Sequence, residues 1–154
     1  MRLAVAALYV FASLVMARSH AAQVFSCDSA EVRIDVVARE SPIWEERAEA
    51  VITVRRDTAI TVLRYLNIDF IGGQCVVKAG AQPLVIFQAF CGGSGCKDRD
   101  NWGVVNPKTL RVLTVPSGMN RKEALTLIGG SELPTLELMN VLAEARKQGV
   151  KVPD

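Results

Sequence analysis

A chain of 154 residues with a formal net charge of +2, 50% hydrophobic and 22% charged, is long enough for one domain with its own core. That near-neutral balance gives no support to a nucleic-acid-binding surface, which would show as a basic stripe, or to a polybasic membrane-surface protein. The sequence contains one histidine, His20.

Met1-Arg2, the apolar run Leu3 to Ala17, and Arg18-Ser19-His20-Ala21-Ala22 form the three parts of a secretory signal: basic start, short apolar core, small residues for cleavage. The expected division is a signal peptide over 1–22, cut after Ala21 or Ala22, and a single disulfide-bonded globular domain over 23–154. Val15 and Ala17 offer an earlier cleavage site. The apolar run is shorter than the roughly 18 residues of a membrane span, and a lipoprotein signal ending at Cys27 would carry a smaller residue than Phe25. The expected mature chain is therefore soluble, without a membrane span, and periplasmic or secreted. It holds sixteen Lys and Arg, sixteen Asp and Glu, and no histidine. That loss excludes a Ser-His-Asp or Cys-His pair and a histidine-ligated zinc site, and no cofactor is expected.

Glu31 opens a clean alternation, with Val32, Ile34 and Val36 on one face and Glu31, Arg33 and Asp35 on the other, as in a half-buried strand. A loop over Arg39 to Glu46 follows, then two alternating runs, Ala48 to Arg55 and Thr58 to Leu66, read as a hairpin. Asn67 to Ile71 extends the second run or forms a short strand. Gly72-Gly73 reads as a turn into Gln74 to Lys78, and Ala79 to Pro83 as another. Pro83 to Phe90 is apolar except for Gln88, as expected of a central strand covered on both faces. Trp102 to Val105, a turn at Asn106-Pro107-Lys108-Thr109, and Leu110 to Val115 complete the meander.

After Pro116, Asn120 to Glu123 fits a capping box opening a short helix that stops at Gly129-Gly130. Pro134 opens a longer helix to about Gln148, with an apolar stripe of Leu138, Met139, Val141, Leu142 and Ala145. The expected fold class is α+β: an antiparallel meander in a sheet, sandwich or small barrel, then two carboxy-terminal helices, with two disulfides.

Four cysteines in an exported chain predict those disulfides. Cys91 and Cys96 flank a four-residue glycine-rich bridge, which favours their pairing and leaves Cys27 with Cys75. Gly92-Gly93-Ser94-Gly95-Cys96 fails the Gly-x-Ser-x-Gly elbow at its last position, and no base is evident for Ser94. Cys91 and Cys96 lack the Cys-x-x-Cys spacing of a redox pair. Lys97 to Asn101 lacks the glycine and terminal glutamate of a calcium loop, and no pair of acids is singled out for glycoside hydrolysis. Trp44, Tyr65 and Trp102 could line a sugar or ligand site, but aromatics at this modest frequency more often complete a core.

A stapled loop at the end of a rigid strand loses little entropy on docking, so 91–101 is the expected recognition element. Its contacts would be Ser94, Lys97, Asp98, Arg99, Asp100 and Trp102. The expected function is that of a non-enzymatic exported protein binding another protein of the cell envelope, as an inhibitor or accessory factor. Alternatives are an envelope structural component docking through the carboxy-terminal helix and a histidine-independent hydrolase. Val24-Phe25-Ser26-Cys27-Asp28-Ser29 before an alternating strand, with a Ser-Gly pair in a later loop, resembles short pieces of the small periplasmic lysozyme inhibitors. That resemblance implies a loop inserted into a hydrolase cleft. The Cys-bracketed loop and helical carboxy terminus depart from the pattern, and no functional residue is carried over.

Overall fold

The computed structural model describes residues 21–93 and 99–151; the expected signal peptide, save its last two residues, lies outside them. Four antiparallel strands come first: β1 (Ala21–Cys27), β2 (Ala30–Ala38), β3 (Ala48–Arg56) and β4 (Ala59–Tyr65), forming a sheet in that order. The second sheet is built from β5 (Phe70–Val76), β6 (Leu84–Phe90), β7 (Trp102–Asn106), β8 (Arg111–Thr114) and the two-residue β9 (Met139–Asn140). Its order is β8-β7-β6-β5-β9. Two helices, α1 (Arg121–Ile128) and α2 (Val141–Lys147), flank β9 in sequence. The α+β class with antiparallel sheets and two carboxy-terminal helices is present as expected.

The period-two alternation of β2 and β3 puts Val32, Ile34 and Val36 opposite Val54, Ile52 and Ala50, all buried. These six meet Ile71, Val85, Phe87, Ala89 and Val105 from the second sheet in one core. No strand ladder joins the two sheets among the described residues, so the barrel option is not realised there. A seam between β1 and β5 ties them instead. The Cys27–Cys75 disulfide crosses it, as expected, with Cys27 fully buried. Gln23 crosses it too, accepting from the Gly73 amide at 3.2 Å and donating to the Glu137 carbonyl at 2.8 Å.

The continuous apolar character of β6 follows from its place in the middle of the second sheet. Its inward residues join the shared core, while Ile86 on the outer face packs with Trp102, Val104, Ala124, Ile128 and Leu136 beneath α1. The sheet is therefore covered on both faces where α1 lies, and near Gly72 the backbone of Glu137 and Leu138 lies over its outer face. α2 seals the first sheet, with Val141 and Ala145 buried in the shared core.

Three expectations need correction. Gly72-Gly73 is not a turn but lies inside β5, because neighbours occupy the space of a side chain. A Cβ on Gly72 would stand 2.2 Å from the Glu137 carbonyl oxygen, and one on Gly73 would stand 3.1 Å from Ile34 Cδ1. The second helix begins at Val141 rather than Pro134: residues 134–138 form no helix, and Met139 and Asn140 pair with Ile71 and Phe70. Asn140 then caps α2 by accepting from the Ala143 amide at 2.8 Å. Asn120 precedes α1 but forms no capping bond, because its amide is engaged by β7 and β8. Ahead of the alternating run, β1 forms a hairpin with β2, turning through Asp28 and Ser29 at φ of 47° and 62°. The Cys91–Cys96 pairing falls on Cys96, which lies outside the described residues.

Candidate functional site

The stretch between β6 and β7 leaves the second sheet at Phe90 and returns at Trp102. Ser94, Lys97 and Asp98 lie outside the described residues, whereas both stems of the loop are described. Each stem is fastened by side chains that spend their hydrogen-bonding capacity on backbone.

On the outgoing stem, Asp69 accepts from the Gly92 amide at 2.6 Å, and its own amide donates to the Phe90 carbonyl at 3.0 Å. The Asp69 carbonyl accepts from the Val141 amide at 2.9 Å, linking the stem to the start of α2. A charged acceptor on a backbone N–H makes one of the stronger hydrogen bonds a protein contains. On the returning stem, Gln88 donates Nε2 to the Arg99 carbonyl at 2.7 Å. This explains the one polar residue in the apolar strand: Gln88 is buried on the outer face of the sheet and needs a partner there.

Next along the chain, buried Asn101 accepts from the Met119 amide at 2.9 Å. Asn120 accepts from the Trp102 amide and donates to the Trp102 carbonyl, both at 2.7 Å, and also to Thr114 Oγ1 and the Val115 carbonyl. Asp100 pairs with Arg121 at 3.5 Å, but both side chains are about half exposed, so the pair contributes little.

Trp102 occupies a different place from the other candidate contacts. It is 4% exposed and packs in the cluster beneath α1, with its indole N–H buried and without a hydrogen-bond partner among the described residues. Its position fixes the end of the loop and leaves no surface for a partner to touch. Arg99 is exposed, and no ion pair among the described residues uses its guanidinium.

Two clefts border the stem. One, of about 310 Å³, is lined by Phe70, Phe90, Gly92, Arg99 and Leu138. Its floor is the cross-strand pair Phe70 and Phe90, with ring centroids 5.5 Å apart and planes tilted by 31°. The edge of the Phe70 ring lies against Gly92, where a Cβ would stand 2.4 Å from Cε2. The other, of about 220 Å³, lies between Trp44, Glu45, Asn67, Ile68, Asp69, Cys91 and Leu142.

The aromatics singled out in the sequence are not brought together: Trp44 is partly exposed, Tyr65 packs 6.0 Å from Phe87 in the core, and Trp102 lies under α1. Phe70 and Phe90, which form the floor, carry no signal in the sequence because only the β5–β6 register makes them neighbours.

Among the described residues two groups have displaced acidity, and both lie away from the loop stems. Burial pushes the Tyr65 hydroxyl up to about 12. Burial also raises the Asp35 carboxyl above 3.8, partly opposed by Arg33. No cluster of three or more His, Cys, Asp or Glu side chains suited to a metal occurs among the described residues. Val141 and Ala145 of α2 face the core, whereas Leu142 is partly exposed and lines the smaller cleft. The segment resembling the lysozyme inhibitors is the end of β1 and its turn into β2, on the Cys27–Cys75 seam. No family model matches the chain, and neither the curated proteins nor the solved structures provide a match.

Proposed function

We propose that this is an exported, non-enzymatic binding protein that recognises another protein of the cell envelope through the loop over 91–101. One observation carries the reading: both stems are fastened by side-chain bonds, from Asp69 to Gly92 and from Gln88 to Arg99, which hold the loop's ends in register with the sheet. A loop whose ends are fixed in advance gives up less conformational entropy on docking, and the surplus appears as affinity. The Cys91–Cys96 staple expected from the sequence would restrict it further. Inhibition of a cell-wall hydrolase is the specific version of this activity that the sequence resemblance supports.

The test is affinity capture from an envelope extract by the mature, oxidised protein, beside a variant with Lys97, Asp98, Arg99 and Asp100 changed to alanine. Circular dichroism establishes that the variant folds. The expected result is a partner held by the native protein and lost by the variant. Retention of the same partner by both would exclude the loop as the recognition element.

A further inference from the structure

The cleft beside the stem has a floor, a rim and a charge, and together they specify what can enter. Phe70 and Phe90 form an aromatic floor whose position is set by strand pairing. Phe90 is 7% exposed, so its ring is anchored in the sheet, while Leu138, 37% exposed on the opposite wall, offers apolar surface to the outside. A volume of about 310 Å³ is at the bottom of the range for sites that enclose whole small-molecule ligands, roughly 300–1,000 Å³. It suits an apolar side chain presented from outside.

The rim carries Arg99. Its backbone is held by the buried Gln88 amide, its side chain is exposed, and Asp100, its neighbour in the chain, is engaged by Arg121. A guanidinium with a fixed root and no ion-pair partner among the described residues presents its donors to a carboxylate.

We propose that the cleft between Phe70, Phe90, Gly92, Arg99 and Leu138 takes an aromatic or leucine side chain of the partner protein, with an acidic side chain beside it paired to Arg99. This rests on the reading of the protein as a protein-binding module and names the chemistry of the segment it binds. The apolar residue supplies buried area against the phenylalanine pair, and the carboxylate sets orientation.

Selection from a random-peptide phage library on the mature, oxidised protein tests this without the partner in hand. The expected result is enrichment of peptides with Phe, Trp or Leu next to Asp or Glu. Arg99→Ala should weaken the best of them about tenfold or more, as truncation of an interface arginine anchor does. Arg99→Glu should shift the enriched charge from acidic to basic, and Leu138→Asp should abolish enrichment of the apolar residue. Thermal unfolding of each variant identifies any loss that comes from misfolding, and the charge reversal by Arg99→Glu requires a folded protein to be seen at all. Peptides without the acidic-apolar pair, peptides that bind Arg99→Glu unchanged, or no enrichment would each overturn the assignment. Those outcomes leave the loop reading intact, because capture from the envelope extract decides it. Loss of capture with Lys97, Asp98 and Asp100 changed to alanine and Arg99 retained would attribute recognition to the loop apart from the cleft, and would overturn this inference if Arg99→Ala left capture unchanged.

Discussion

Replacing Gly103 by alanine tests the most tightly filled position in the shared core. Gly103 lies opposite Phe87 in the β6–β7 ladder. A Cβ added there would stand 2.0 Å from Cζ of the Phe87 ring and 2.3 and 2.5 Å from its two Cε atoms. Ordinary contact begins at 3.4 Å, so the ring would have to retreat by about 1.4 Å. It has little room to do so: Phe87 is fully buried and Tyr65 packs beside its ring, with centroids 6.0 Å apart.

Overpacking a filled core costs about 1–3 kcal/mol. With the ring fully buried and packed beside Tyr65, Gly103→Ala is expected at the upper end, a large share of the roughly 5–15 kcal/mol that stabilises a domain. Urea unfolding of the mature, oxidised chain measures it as a lower midpoint with the slope unchanged. Phe87→Leu removes the clashing ring atoms, so the double variant should be more stable than the sum of the single costs by about 1 kcal/mol or more. Additive costs, or a change below about 0.5 kcal/mol for Gly103→Ala, would refute the reasoning that the ring is held over Gly103.

Removing the Cys27–Cys75 cross-link, which spans 48 residues, by changing both cysteines to alanine should cost about 4 kcal/mol from the restored freedom of the unfolded chain. A loss under about 1 kcal/mol in chemical denaturation would show that the seam is held by other contacts. Gln88→Met keeps the buried volume but frees the Arg99 carbonyl; it should cost about 1 kcal/mol and speed amide exchange at Arg99 to Asn101. Unchanged exchange there would remove Gln88 from the clamp. The folded-state Asp35 carboxyl titrates above 3.8, so its favourable contribution is complete below that value and is lost as pH rises through the raised one. Asp35→Asn should therefore be more stable than the parent at neutral pH, with the gap closing in acid; a parent more stable at neutral pH would reverse the sign. Tyr65, pushed up to about 12, predicts stability that falls as pH climbs from 10 through that value, and Tyr65→Phe should flatten the decline. An equally steep decline in the phenylalanine variant would assign the titration to another group.

Local periodicity made much of this protein legible. The alternation of Val32-Ile34-Val36 and Ala50-Ile52-Val54 requires only that successive side chains of a strand point to opposite faces, and the unbroken apolar run of β6 requires only that both faces be covered. The Cys27–Cys75 bond followed from counting four cysteines and pairing the nearest two first. Glycine and asparagine were harder to read because each serves opposite purposes. Gly72 and Gly73 look like a turn until the Glu137 carbonyl and Ile34 are placed against them, and Asn120 looks like a cap until β7 and β8 bring backbone groups within reach of its amide.

For the site, Gln88 stood out as the polar exception in its strand, but its role depended on the return of the chain to Arg99. Phe70 and Phe90 are twenty residues apart and become one surface only through antiparallel register. The sequence by itself determined β2, β3, β4, β6, β7 and β8, the short helix α1 and the seam disulfide, because these depend on the spacing of residue types along the chain. Only the tertiary structure decided where the glycines belong, where α2 begins and which aromatics meet, because each depends on what another segment places within a few ångströms.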